Sequence, residues 1–253
     1  MKKVSFLLLA VFAMINIACN KTEVSEYKSS TDSFEEDLSS YISEQKSIMD
    51  GVKTRSSSVV LTRADIATIA VKMDSVTMKF CNKYPELINE LPKVSEEQLE
   101  VLKENTDSLA SFVQKNYSAE IVNLVKEDLG SDCFARLKPT AVPMISDVRY
   151  NRFVQANVEI NREFKVLVTE NADLTYKPLF QESNKRTDCY KRYKNKVDNC
   201  YSTMVRSLVL ASLSSVNPIG AITLSLNLLY IVSDYNQCLY NAAEFYNLCN
   251  GKK

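Results

Sequence analysis

The side chains with most chemistry to offer are cysteines. The 253-residue chain has seven, and it has no histidine or tryptophan. Without histidine it lacks the side chain whose ordinary pKa suits proton transfer near neutrality, and also the commonest metal ligand. Six cysteines lie beyond the first twenty residues: Cys81, Cys133, Cys189, Cys200, Cys238 and Cys249. Cys189 and Cys200 are eleven residues apart, as are Cys238 and Cys249. On a helix eleven residues make about three turns, ending within about 20° of the starting direction after a rise of ~16.5 Å. Each pair therefore sits on one face at two heights. The cross-pairs, 189 with 249 and 200 with 238, share one centre, Ile219 in Asn217-Pro218-Ile219-Gly220. That is the clearest break between Asp188 and Cys249, because proline ends a helix and the residue before it avoids the α region. An antiparallel helical hairpin folded there predicts disulfides Cys189–Cys249 and Cys200–Cys238, and leaves Cys81–Cys133 as a third pair. Val197, Met204, Leu208 and Ala211 on one arm, and Ile231, Tyr235, Ala242 and Phe245 on the other, supply a matching apolar seam. The inner bridge contributes ~3 kcal/mol by restricting the unfolded chain, and the outer one less, because much of the loop entropy is already gone.

Other chemistries fare badly. Thiolates ~16 Å apart along a helix cannot share one tetrahedral zinc, whose Zn–S bonds are about 2.3 Å. Redox pairs place both thiols within a single turn. Serines are common but have no histidine to activate them, and no Gly-x-Ser-x-Gly elbow occurs. Carboxylates such as Glu96, Glu97, Glu159 and Glu163 fall at capping or solvent-facing positions. With only four glycines, phosphate cradles are poorly supplied. No metal or cofactor is expected, and an enzyme is the weakest of the functional readings.

The start of the chain gives an address. Lys2 and Lys3 precede an uncharged run from Val4 to Asn20, the layout of a secretory signal peptide. The run contains Asn16-Ile17-Ala18-Cys19, which resembles the lipobox of bacterial lipoproteins, where a small residue precedes a cysteine that is acylated before cleavage. Ala18 and Cys19 match; Asn16 stands where that family usually has leucine. The resemblance implies that Cys19 becomes a lipid-bearing N-terminus holding the protein on a membrane. Asn20, in place of an inner-membrane-retaining aspartate, implies an outer-membrane address. Buried methylenes at ~0.8 kcal/mol each anchor a protein without any membrane-spanning helix. Losing Lys2 and Lys3 lowers 31 basic residues to 29 against 31 acidic ones, a net charge of −2, so no nucleic-acid partner is expected. The paired cysteines also resemble the disulfide-stapled hairpins of several unrelated small families, a likeness of architecture confined to 183–253 that implies no activity.

Four segments must position these residues: a signal peptide at 1–18, a lipidated tether with a short helix at 19–61, a helical region at 62–182, and the stapled hairpin at 183–253. The fold class is all-α, a helical bundle carrying the hairpin. Ser33 with Glu36 predicts a helix to Asp50 closed by Gly51, followed by a linker containing Lys53-Thr54-Arg55, a candidate protease target. Thr62 with Asp65 opens the next helix and Pro85 stops it; Pro85 to Leu91 forms a short turn; Ser95 with Gln98 opens a helix whose stripe runs through Leu99, Leu102, Leu109, Phe112 and Val113; Ser118 caps another that ends at Gly130. Residues 146–170 are ambiguous. Val154, Ala156, Val158 and Ile160 alternate as in a strand, whereas Phe153, Ala156, Ile160, Phe164 and Leu167 fit one helical face, with Ser146 or Asp147 as cap. A strand lacks a partner elsewhere, so helix is preferred.

Two stretches of the hairpin bear on function. Ser207 to Ser233 is 27 residues without a charge, divided by Pro218 and Gly220 into arms too short to cross a bilayer. Burial against the bundle is expected; insertion into a membrane or partner groove, as in helical hairpins of pore-forming toxins, is the alternative. At the base, Lys185, Arg186, Lys191, Arg192, Lys194 and Lys196 are interleaved with Tyr190, Tyr193 and Tyr201, against only Asp188 and Asp198. Lys252 and Lys253 extend the set. These residues suit an anionic glycan, a phosphate headgroup or nucleic acid, or simply a solvated face. The expectation is an envelope-anchored lipoprotein acting as a non-catalytic binding or structural module, with a protein or glycan partner. The alternative is a membrane-active secreted antibacterial factor or its cognate protective lipoprotein.

Overall fold

The computed structural model describes residues 31–53, 61–90, 94–137, 147–175, 187–213 and 227–249. The chain divides into two units, Met1–Glu35 and Glu36–Lys253. Among described residues the first holds only the opening of one helix; the second holds all the remaining elements. The elements are α1 (Thr31–Lys53), α2 (Arg63–Lys83), a 3-10 turn (Pro85–Glu90), α3 (Glu96–Glu104), α4 (Thr106–Asn116), α5 (Ala119–Leu129), α6 (Asp132–Ala135), α7 (Val148–Thr175), α8 (Thr187–Leu213) and α9 (Leu228–Cys249). No strand occurs among the described residues.

Local chemistry sets most helix ends. Thr62 with Asp65 and Ser95 with Gln98 form reciprocal capping boxes, and the Ser118 hydroxyl accepts from Ile121 N–H. Asp147 caps α7, accepting from Tyr150 N–H at 2.8 Å. Such caps satisfy N–H groups with no partner inside the helix, each contributing about 1 kcal/mol. Gly130 closes α5 with φ at +87°, an angle glycine adopts without strain.

Three expected helix boundaries fail. Helix α1 begins at Thr31, so Ser33 lies inside it and does not cap it. Gly51 does not cap α1, which continues to Lys53; an exposed glycine costs a helix about 1 kcal/mol relative to alanine but does not end it. The helix expected to run from Ser95 through Val113 is broken at Asn105, whose side chain accepts from Ser108 N–H at 2.9 Å and begins α4. Asparagine is among the strongest N-caps, and here it outweighs the continuity of the apolar stripe.

Residues 148–175 form one long helix, and its burial explains the double periodicity. Phe153, Val154, Ala156, Asn157, Val158, Ile160, Asn161, Phe164, Leu167 and Val168 are all buried, because α7 is packed by α2, α5 and α8 at once. A helix enclosed on most of its circumference carries apolar residues at strand-like intervals as well as helical ones.

The core at α1, α2 and α7 is aromatic with a polar centre. Phe80 stacks on Phe153 with centroids 5.0 Å apart, and the Tyr41 ring lies 4.9 Å from Phe80 and 5.5 Å from Phe153. The Tyr41 hydroxyl donates to Asn157 Oδ1 at 2.6 Å, and burial pushes its pKa up. The buried Gln45 amide donates to Met73 O at 3.0 Å and Thr77 Oγ1 at 2.9 Å. Between α5 and α7, Arg162 meets Asp128 at 2.7 Å, Glu127 at 2.8 Å and the Leu124 carbonyl, and Lys165 reaches Asp128 at 2.7 Å.

The expected Cys81–Cys133 bridge is absent; both remain buried thiols. Cys81 lies in α2, which packs on α7 and α9, whereas Cys133 lies in α6, which packs on α4, and its thiol donates to Gly130 O at 2.9 Å. Pairing them by elimination assumes that every thiol is oxidised, and burial on separate elements removes that assumption.

The hairpin is fixed to the bundle at the ends of both its arms. Tyr117 and Tyr150 both donate to the Leu213 carbonyl at the end of α8. At the start of α9, Asp74 of α2 accepts from Leu228 N–H at 3.1 Å and Leu229 N–H at 3.3 Å. This carboxylate caps a helix distant in sequence, where the helix dipole favours negative charge. Burial nevertheless dominates and raises its pKa to about 6 from 3.8, with the two N–H groups acting the other way. The folded state thus holds the Asp74 proton more tightly than the unfolded chain. The stability this brings is complete below pH 3.8 and is lost as pH rises through about 6. Asp74→Asn is expected to remove that component: the difference in unfolding free energy between wild type and variant should change between about pH 4 and about pH 7 by on the order of 2–3 kcal/mol, read from urea titrations across that range.

Candidate binding surface on the stapled stem

Cys189 is bonded to Cys249 and Cys200 to Cys238, with Cα atoms 5.9 Å and 5.7 Å apart. The rung order anticipated for an antiparallel hairpin holds, although the turn itself, at Ile219, lies outside the described residues. Burial along α8 changes abruptly near the inner bridge. From Met204 to Leu213 nearly every side chain is buried, and Arg206 reaches across to the Lys103 carbonyl and to Thr106 Oγ1 at 3.2 Å. From Asp188 to Thr203 only Cys189 and Cys200 are buried; Tyr193, Val197 and Ser202 are half-buried and the rest are exposed. This outer part of α8, with residues 238–249 of α9, is a two-helix stem whose packing is mostly its own seam. Between the bridges, Tyr193 packs on Tyr246 at 5.3 Å and Lys196 Nζ lies 4.9 Å from the Phe245 ring centre.

Two helices without a third layer bury too little apolar surface to offset the entropy of ordering them. The staples supply what packing does not, one where the stem leaves the bundle and one near its outer end.

Of the basic residues singled out from the sequence, Lys191, Arg192, Lys194 and Lys196 are found on α8, which places them at different bearings around its axis. Lys185, Arg186, Lys252 and Lys253 lie outside the described residues, as do Thr54, Arg55 and Cys19. The four do not form one patch. At about 100° per residue, Tyr190, Lys194 and Tyr201 fall within an arc of about 40° on one side of the seam. Arg192 and Lys196 lie on the other side, and Lys191 points away from α9. Tyr190 is 39% and Tyr201 41% exposed. Among the described residues no acid comes within ion-pair distance of Lys191, Arg192 or Lys194, in contrast to the Arg162–Lys165–Asp128 cluster. Neither that cluster nor Asp74 leaves a mark in the sequence, because their partners are far along the chain.

The carboxylates considered for catalysis lie at the surface and line no cleft among the described residues: Glu96 and Glu97 are exposed in the first turn of α3, Glu159 is exposed, and Glu163 pairs with Lys46 at 3.2 Å. Among the described residues no group of histidine, cysteine, aspartate and glutamate side chains is arranged to hold a metal, and no helix is long and apolar enough to cross a membrane. Both described ends of the uncharged run, Leu208 to Leu210 and Leu213 on α8 and Leu228, Ile231 and Val232 on α9, are buried within the fold; residues 214–226 lie outside the described set. Comparison with protein-family models, curated proteins and solved structures finds no match.

Three outcomes test this geometry. In Cys200→Ala/Cys238→Ala, amide hydrogen exchange across 187–203 and 238–249 is expected to accelerate on the order of 100-fold, corresponding to ~3 kcal/mol, while α2 and α7 keep their protection. Changing Lys191, Arg192 and Lys194 together to glutamine is expected to alter unfolding free energy by less than about 0.5 kcal/mol. By contrast, Arg162→Ala should cost about 2–3 kcal/mol by leaving the mostly buried Asp128 short of a partner.

Proposed function

We propose that the protein is an envelope-anchored lipoprotein that works as a non-catalytic binding module, holding the stapled stem out to a partner. The observation that carries the reading is the stem itself. It is doubly cross-linked, yet it adds little to the core of the bundle, and Lys191, Arg192 and Lys194 on it have no described acid within ion-pair distance. A rigid element that does not serve packing is suited to being bound. Disulfides persist in oxidising compartments, which agrees with the leader at Lys2–Cys19. Burial of the described ends of the uncharged run favours this reading over membrane insertion.

Lipid attachment is tested by metabolic labelling with an alkyne fatty acid in a bacterium that processes lipoproteins. The wild-type chain is expected to take up label and sediment with membranes. Cys19→Ser is expected to lose the label and be released into the soluble fraction. A variant that still sediments would overturn the anchor.

A further inference from the structure

We infer that a single water molecule is bound inside the bundle, in a small polar cavity between α5, α7 and α8. This hydration site goes beyond the binding-module reading and depends neither on the stem nor on the membrane anchor.

The cavity measures about 10 Å³. Its polar lining includes Asp128 of α5, Asn161 and Lys165 of α7 and Ser212 of α8, set against an apolar wall that includes Val158 and Val209. Such a volume is about the least that holds one water, and it leaves no room for an organic ligand.

Asn161 creates the demand for a ligand. The residue is only 8% exposed, and both hydrogen bonds of its side chain are made by the amide nitrogen, to Ser212 Oγ at 2.8 Å and to the Leu208 carbonyl at 3.4 Å. Its Oδ1 receives no donor from the described residues. A buried amide oxygen without a donor is costly, and in folded proteins such groups are nearly always paired with protein or with ordered water. Exchanging the two ends of the amide moves the deficit without removing it: the oxygen would then face the Leu208 carbonyl, and the nitrogen would lack an acceptor.

The neighbouring charges decide which ligand fits. Asp128, with a side chain 7% exposed, is met by Arg162 Nε and by Lys165 Nζ, each at 2.7 Å. Two cations already on one carboxylate repel a metal ion, and the carboxylate repels an anion. A neutral molecule that both donates and accepts is what remains. Asn161 Oδ1 and the spare lone pairs of Asp128 accept hydrogen bonds, whereas Lys165 gives one of its three hydrogens to Asp128 and has others to donate. Water supplies two hydrogens and a lone pair to match, the usual three bonds of an internal water. Bound there, it joins the Asn161–Ser212 lock between α7 and α8 to the Asp128 cluster between α5 and α7, so that three helices share one network.

The test uses the full chain carrying Cys19→Ser, with both bridges intact. A high-resolution crystal structure is expected to show one water within hydrogen-bond distance of Asn161 Oδ1. In solution that water should exchange magnetisation with the methyl protons of Leu208 and Val209, with the sign of a long-lived complex and not that of surface hydration. Asn161→Leu is expected to lose both signals, while Ser212 keeps its bond to the Leu208 carbonyl. The proposal is overturned by a wild-type cavity without water density, by an ion in its place, by a protein donor seated on Asn161 Oδ1, or by unchanged water signals in Asn161→Leu. Because the wild-type density decides by itself, the test stands even if the leucine variant does not fold.

Discussion

The pair of cross-links between α8 and α9 is the constraint on which the rest of the molecule's form depends. A helical hairpin inside a bundle is held by its neighbours; one that leaves the bundle has only its own seam. Here that seam is narrow, little more than Cys189, Tyr193, Val197 and Cys200 against Cys238, Ala242, Tyr246 and Cys249. With covalent rungs at both ends, the intervening eleven-residue spans need not be stable by packing alone. At the other end of the hairpin, the Leu213 carbonyl is held by Tyr117 and Tyr150 and the α9 start by Asp74. The hairpin is thus pinned to the bundle at one end and to itself along its stem, and the stem's surface is released from any duty to the core.

Within the bundle, specificity comes from polar groups placed where apolar packing would tolerate slippage. Asn161 donates to Ser212 Oγ at 2.8 Å, and that hydroxyl donates to Leu208 O at 2.9 Å, locking α7 to α8 at one register. Tyr41, Gln45, Thr77 and Asn157 do the same for α1, α2 and α7. Buried hydrogen bonds add modestly to stability but leave a large penalty when broken. A one-turn shift of α7 would strand several donors at once, and so the apolar faces have one arrangement.

How much of this is legible in the sequence depends on distance along the chain. Capping boxes at Thr62 and Ser95 involve neighbours three residues apart, and they appear as written. The two hairpin bridges are legible because helical repeat and a single break constrain four residues together. Asn105 is legible in principle, since Asn-Thr-Asp-Ser is a start signal, but an unbroken apolar stripe masks it. Gly51 misleads because a glycine near a helix end resembles a cap whether or not the chain turns there. Asp74 and the Asp128 cluster carry no local mark: a carboxylate capping a helix 154 residues away looks, in sequence, like any polar residue on an amphipathic helix. The candidate surface is half legible. Its residue types are evident, but their division between two sides of the stem emerges only once the seam is known.

The two cysteines left as thiols bear on how the staples survive. Six cysteines allow about fifteen pairings, and exchange between them runs through thiolates. Burial pushes the Cys81 thiol up to about 12 and raises that of Cys133, whose hydrogen already points at the Gly130 carbonyl. Near neutrality neither supplies appreciable thiolate, and both are buried in the bundle while the bridges lie along the stem. The bundle therefore protects the hairpin's connectivity chemically as well as mechanically. Its core keeps two potential attackers protonated and out of reach, and the stem keeps the rungs that hold its exposed face in place.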